Sequence, residues 1–198
     1  MIMKGQVRTP GQPYVLNMAL FRRRQAPPPV QVAHVHQHSV TFYSHDDALI
    51  GLLEQYVVDG ARRGETTVVI ATPHHRAMLR ERLASWELED AFLGLDAQDC
   101  LDRFMVDGLP DPYLFELTIG TLVRDRAGTG MRAFGEMVSL LWEQDNVEGT
   151  LQLEELWNGL QREVAFPLLC AYGERQFEGR EGRDDVCGTH TSVLPIAS

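Results

Sequence analysis

The 198-residue chain is almost without lysine: of its eighteen basic residues seventeen are arginine, and the one lysine is Lys4. A phosphate-binding P-loop needs a Gly-Lys-Ser/Thr whose ammonium reaches the nucleotide, and Schiff-base chemistry needs a positioned amine. Beyond the N-terminal stretch the chain supplies neither. Cysteine is scarce too. Cys100, Cys170 and Cys187 are odd in number and form no C-x-x-C pair, which excludes a disulfide framework and a four-cysteine zinc site and fits a reducing cytoplasm. An excess of positive charge is also missing. Twenty-eight acidic residues leave a net charge of −10, the wrong sign for gaining affinity by releasing counterions from phosphates, so no direct nucleic-acid contact is expected. No apolar run approaches the roughly 18 residues of a membrane span, and no signal-peptide apolar segment opens the chain. The expectation is a soluble, cytoplasmic protein with no membrane partner.

What is present divides in two. Residues 1–37 carry Gly5, Pro10, Gly11, Pro13, the run Arg22-Arg23-Arg24, the triplet Pro27-Pro28-Pro29, and then His34 and His36. Proline triplets favour extended, solvated backbone, so this stretch reads as a flexible tail. Met18 is an alternative start that would leave a shorter basic arm. Residues 38–198 read as one domain in which short apolar strands alternate with amphipathic helices, the pattern of a mostly parallel α/β sheet.

Strands are expected at Ser39–Tyr43, Thr66–Ala71, within Cys100–Val106, at Met131–Glu136, Phe166–Tyr172 and Ser192–Leu194. Ser44-His45-Asp46-Asp47 has the spacing of a capping box opening a helix that Gly60 and Gly64 should end. Thr72 should cap the next helix, with Pro73 at its first position, and Asp111-Pro112 should open another. A longer helix should bury Leu153, Leu156, Trp157, Leu160 and Val164.

In an open parallel sheet ligands bind beyond the carboxyl ends of the strands. Those ends carry Tyr43, His45 and Asp46; Thr72, His74 and His75; Asp107; Glu136; and Tyr172 and Glu174. Many such residues are helix caps in any fold of this kind. As a set they mark a small-molecule pocket with aromatic faces, and the residues assigned to it are Tyr43, His45, Asp46, Thr72, Glu136, Trp142 and Tyr172. Glu136 ends a central strand beside Gly135, where Arg132 or Arg124 is the expected ion-pair partner. His34, His36 and His38, together with Cys187 and His190, carry metal-ligand types. The tail offers no preformed geometry for them, so neither metal nor cofactor is expected. Cys170, inside an apolar strand, reads as an inert hydrophobe.

The order of segments His38-Ser-Val-Thr-Phe-Tyr43, Tyr56-Val-Val-Asp-Gly60, Arg63-Gly-Glu65-Thr-Thr-Val-Val-Ile70, Arg132-Ala-Phe-Gly-Glu136-Met137, Glu154-Glu155-Leu-Trp-Asn158 and Leu169-Cys170-Ala171-Tyr172 resembles the MEDS family, the sensory domain of methanogen and methylotroph regulators. His190-Thr-Ser-Val-Leu194 resembles its closing motif. The resemblance implies a three-layer RecA/KaiC-like sheet without a P-loop, non-catalytic and used to sense small organic, hydrocarbon-derived molecules. It makes His38, Cys170 and His190 motif positions. Where a related ATPase would place its phosphate loop, Tyr43-Ser44-His45-Asp46-Asp47-Ala48 has neither Gly nor Lys, and its two aspartates would repel a triphosphate. The expected output is through a protein partner: a histidine kinase, an anti-sigma factor or a transcription regulator, with a homodimer as a further option. A ligand-independent adaptor and a degenerate nucleotide-binding ATPase are the alternatives.

Overall fold

The computed structural model describes residues 37–196. The expected tail, with His34, His36 and Met18, lies outside the described residues except for Gln37, whose carbonyl accepts from the Leu168 N–H at 2.9 Å. In chain order the strands are β1 His38–Tyr43, β2 Thr66–Ala71, β3 Phe92–Asp96, the two-residue β4 Met105–Val106 and β5 Leu109–Pro110, β6 Met131–Gly135, β7 Leu168–Gly173 and β8 Ser192–Leu194. All but β4 and β5 form one sheet in the order β3-β2-β6-β7-β1-β8, parallel at every pairing. The helices are α1 Asp46–Arg63, α2 Pro73–Ala84, α3 Ala97–Leu101, α4 Pro112–Phe115, then α5 Thr121–Ala127 after one π-helical turn, α6 Met137–Glu143, α7 Val147–Glu163 and α8 Arg183–Gly188.

Strand side chains alternate between the two faces of a sheet, so a β-branched run without polar breaks needs cover on both. Val69, Ala71, Phe134, Leu169 and Ala171 pack with Leu49, Leu53, Val57, Leu79 and Leu83 of α1 and α2. Val68, Ile70, Ala133, Leu168, Cys170 and Tyr172 pack on the opposite face with Met137 and Trp142 of α6 and Leu153, Trp157 and Leu160 of α7. This is the three-layer α/β architecture that the sequence pattern and the resemblance imply. Among the described residues no helix is long and apolar enough to cross a membrane.

Four local expectations need correction. The third strand lies at Phe92–Asp96, not within Cys100–Val106, where Cys100 and Leu101 are helical. Asp107-Gly108 has φ of +50° and +83°, the signature of a two-residue hairpin turn, so Met105–Val106 reverses onto Leu109–Pro110 and Asp107 ends no strand of the main sheet. The carboxyl end of β3 is Asp96, whose Oδ1 accepts from the Gln98 and Asp99 N–H groups while Oδ2 takes Arg76 at 2.7 Å. The N-cap of α1 is His45 rather than Ser44, its Nδ1 accepting from the Ala48 N–H at 3.2 Å.

Gly60 does not stop α1. It is buried within the helix, where an added Cβ would meet Thr67 Oγ1 at 2.6 Å and Arg132 Cδ at 3.0 Å, so it lets α1 approach the sheet closely. Gly64, at φ +73°, is the left-handed cap that does end it. Beneath Gly60 the Arg132 guanidinium, 1% exposed, meets Glu65 Oε2 at 2.7 Å, Asp59 Oδ2 at 3.2 Å and the Tyr56 carbonyl at 3.1 Å, and sits 4.8 Å from the Tyr56 ring centroid. Removing one member of such a buried ionic group strands the others without solvent. Arg132→Ala should therefore lower stability by about 3–5 kcal/mol, read by urea unfolding; a loss below about 1 kcal/mol, the scale of an exposed pair, would refute that role.

Candidate functional site

The carboxyl ends of β2 and β6 lie side by side, and the chain leaves them in opposite directions: α2 packs on one face of the sheet, α6 on the other. Such a divergence opens a crevice at the sheet edge. Glu136, the residue after β6, is 2% exposed and fills this position. Its Oε2 accepts from the Thr72 N–H at 3.0 Å, and its Oε1 lies 2.6 Å from His75 Nδ1. The other ring nitrogen, His75 Nε2, faces Asp46 Oδ1 at 3.4 Å, and His74 Nε2 reaches Asp46 Oδ2 at 3.2 Å. Tyr43, at the end of β1, sets its ring edge-on to His75 with centroids 5.9 Å apart.

Local structure explains the placement. Thr72 caps α2 by accepting from the His75 N–H at 3.2 Å, and Pro73 occupies the first turn. His75 is thereby held in that first turn, pointing across the crevice. Burial favours the neutral His75 ring, but the hydrogen bond and charge of Glu136, then those of Asp46, outweigh it and raise the pKa above 6.5. Burial, followed by the charges of Glu136, Asp46 and Glu143, pushes the Tyr43 phenol well above its ordinary range. The ion-pair partners expected for Glu136 are engaged elsewhere: Arg132 binds Asp59 and Glu65, and Arg124 binds Glu116 and Glu163. The partner of Glu136 is His75, which stood among the strand-end residues but not in the assigned pocket.

The predicted pocket residues separate into two groups. Tyr43, Asp46, Thr72 and Glu136 meet at the crevice, whereas His45 is the α1 cap beside it. Trp142 and Tyr172 lie in the opposite layer. Trp142 stacks on Phe177 with centroids 4.7 Å apart and donates its indole N–H to the Gln176 carbonyl.

Tyr172 donates to Glu154 Oε1 at 2.6 Å, and Glu154 gathers the three motif positions around itself. His38 Nε2 is 3.3 Å from Glu154 Oε2 and 3.3 Å from Cys170 Sγ; His190 Nε2 is 3.5 Å from Glu154 Oε1. The side chains of His38, Glu154 and His190 are wholly buried. Burial, then the Glu154 charge, raises the Cys170 thiol and the Tyr172 phenol well above their ordinary ranges. Cys170 is thereby kept a protonated, unreactive thiol, as expected of a buried cysteine, and it lies within hydrogen-bond distance of His38 and Glu154. Sequence reasoning missed Glu154 because it lies on α7 among exposed acidic neighbours; its helical phase beside Trp157 and Leu153 was the available signal.

An open cleft of about 460 Å³ lined by Pro110, Pro112, Glu148, Leu151, Gln152, Glu155 and Leu156 shares no residue with either group. Residues 37–191 match the family model described as MEDS, the methanogen/methylotroph, DcmR sensory domain. No curated protein matches the chain.

A raised His75 pKa stabilises the fold fully below pH 6.5 and loses that contribution as pH rises through the folded-state value. The stability gap between wild type and His75→Gln should be about 1.5–3 kcal/mol near pH 6 and should narrow toward pH 9. Urea titrations across that range check it, and a gap independent of pH would mean that no change in His75 protonation between its carboxylates is linked to folding over that range.

Proposed function

The chain belongs to the MEDS family of sensory domains, and from that premise we propose that its signal is a small, hydrocarbon-derived organic molecule carrying one polar group, taken up at the crevice of Tyr43, His75 and Glu136. The observation that carries the reading is the bridge Asp46–His75–Glu136, which ties the start of α1, the first turn of α2 and the end of β6 together through one imidazole. A hydroxyl, amine or carbonyl competing for His75 or Glu136 breaks a contact shared by three segments. It thereby favours whichever arrangement of those segments binds it better. The rings of Tyr43 and His75 supply apolar faces for a short carbon skeleton.

Several observations support sensing over turnover. Both Glu136 oxygens are already engaged, and the Tyr43 phenol is held protonated, so neither is a ready base. The segment in the position of a phosphate loop opens with His45 as a helix cap and turns Asp46 toward His74 and His75. Occupancy is relayed to a protein partner of the histidine-kinase, anti-sigma-factor or transcription-regulator kind.

The test is a thermal-shift screen with short-chain alcohols, aldehydes, amines and halogenated alkanes, followed by calorimetry. One class should raise the melting temperature, and Glu136→Gln and Tyr43→Phe should each weaken its binding by about tenfold or more, a loss of about 1.4 kcal/mol. A partner whose capture ignores every compound in the panel would replace this reading with the ligand-independent adaptor. Tight magnesium-dependent ATP binding would replace it with a nucleotide-binding domain.

A further inference from the structure

We propose that His38, Glu154, Cys170 and His190 form a buried, four-ligand site for a divalent transition-metal cation of the zinc class. The proposal stands apart from the crevice, with which it shares no residue.

One ligand atom from each side chain lies within 4.8 Å of all the others. Zinc bonds of roughly 2.0–2.3 Å in a tetrahedron place neighbouring ligand atoms roughly 3.3–3.8 Å apart. Three of the separations fall in or near that range: 3.3 Å for His38 Nε2 to Cys170 Sγ, 3.3 Å for His38 Nε2 to Glu154 Oε2 and 3.6 Å for Cys170 Sγ to Glu154 Oε2; His190 Nε2 faces the other carboxylate oxygen, Oε1, at 3.5 Å, so closing the shell calls for a small turn of that carboxylate or ring.

The surroundings orient each imidazole for ligation. His190 Nδ1 lies 2.7 Å from the Val186 carbonyl, which can only accept, so Nδ1 carries the proton. His38 Nδ1 lies 2.8 Å from Asn158 Oδ1, and the Asn158 amide nitrogen donates to the Thr189 carbonyl, so Oδ1 is the acceptor and His38 Nδ1 the donor. Both rings therefore aim the Nε2 lone pair inward, the arrangement in which an outer acceptor fixes the tautomer of a metal-bound histidine. Tyr172 turns the carboxylate by donating to Oε1.

A second observation points to a cation. His190 Nε2 is buried without a hydrogen-bond partner. In the neutral ring its lone pair faces a carboxylate oxygen, an arrangement that no hydrogen bond relieves and a cation does. On ligation Cys170 loses its thiol proton to solvent, and thiolate plus carboxylate then balance the charge of a divalent ion. Two imidazoles, one thiolate and one carboxylate suit zinc or cobalt over magnesium or calcium, which favour all-oxygen shells. Four protein ligands leave no open position, so the ion would be structural, tying the segment before β8 to β1, β7 and α7.

The experiment is cobalt titration and elemental analysis of untagged, full-length protein refolded with zinc or cobalt. One equivalent per chain is expected, with tetrahedral ligand-field bands and a thiolate-to-cobalt charge-transfer band that zinc displaces. The doubly substituted Cys100→Ser, Cys187→Ser protein, in which Cys170 is the sole cysteine, should keep that band, and Cys170→Ser should lose it. Glu154→Gln and His190→Gln should each weaken cobalt binding by at least about tenfold, while His74→Gln should leave it unchanged. Wild-type protein that takes up no stoichiometric metal, or a charge-transfer band lost in the double variant, overturns the assignment even if Cys170→Ser fails to fold. Metal bound with His190→Gln and Glu154→Gln at full affinity overturns it as well.

Discussion

A charge taken out of water has to be answered within hydrogen-bond distance, because its desolvation otherwise costs several kcal/mol. Arg132, Glu136 and Glu154 are each 2% exposed or less, and the polar architecture of the molecule is arranged around them. Arg132 draws Asp59 and Glu65 under α1. Glu136 draws Thr72 and His75 across the crevice, and Glu154 draws His38, Tyr172 and His190 under α7. Each group joins elements far apart in the chain, so each also pins the packing of a helix against the sheet.

The three groups differ in how completely their needs are met. Arg132 is enclosed by acceptors and an aromatic face, and its Nη2, outside hydrogen-bond geometry, still lies 2.6 Å from Glu65 Oε2 as an ion pair. Glu136 is satisfied, yet its partner His75 leads outward to Asp46, whose carboxylate is half-exposed. That connection between a buried charge and solvent is the contact for which the proposed ligand would compete. The Glu154 group has no such path and retains an unpartnered nitrogen at its centre. What sets it apart from the Arg132 group is that its unpartnered atom is a histidine nitrogen 3.5 Å from Glu154, gathered with two further metal-ligand side chains.

Much of the fold was legible because short apolar, β-branched runs and cap signals are local. Thr66–Ala71 and Ser192–Leu194 coincide with the strands observed, and Thr72-Pro73 opens its helix as expected. The third strand was misplaced because Gly94 interrupts the apolar run of Phe92–Asp96, and because the Asp107-Gly108 turn signal was passed over. Gly60 read as a helix stop because a glycine is locally a breaker; only the closeness of Thr67 and Arg132 shows why the helix needs one there. Of the site, the carboxyl-edge rule reached Tyr43, Asp46, Thr72 and Glu136. It could not separate Tyr172 and Trp142 from them, because which face a strand-end or helix residue serves depends on the cover of the sheet.

The sequence by itself determined the class of fold, the lack of a P-loop, and the family to which the chain belongs, since these follow from composition, local periodicity and the order of short motifs. The tertiary structure decided the partners: His75 for Glu136 in place of an arginine, and Glu154 for His38, Cys170 and His190, residues separated by up to 152 positions in the chain. Burial is a property of the assembled layers, and only when the layers close does a side chain lose water and have to find its replacement.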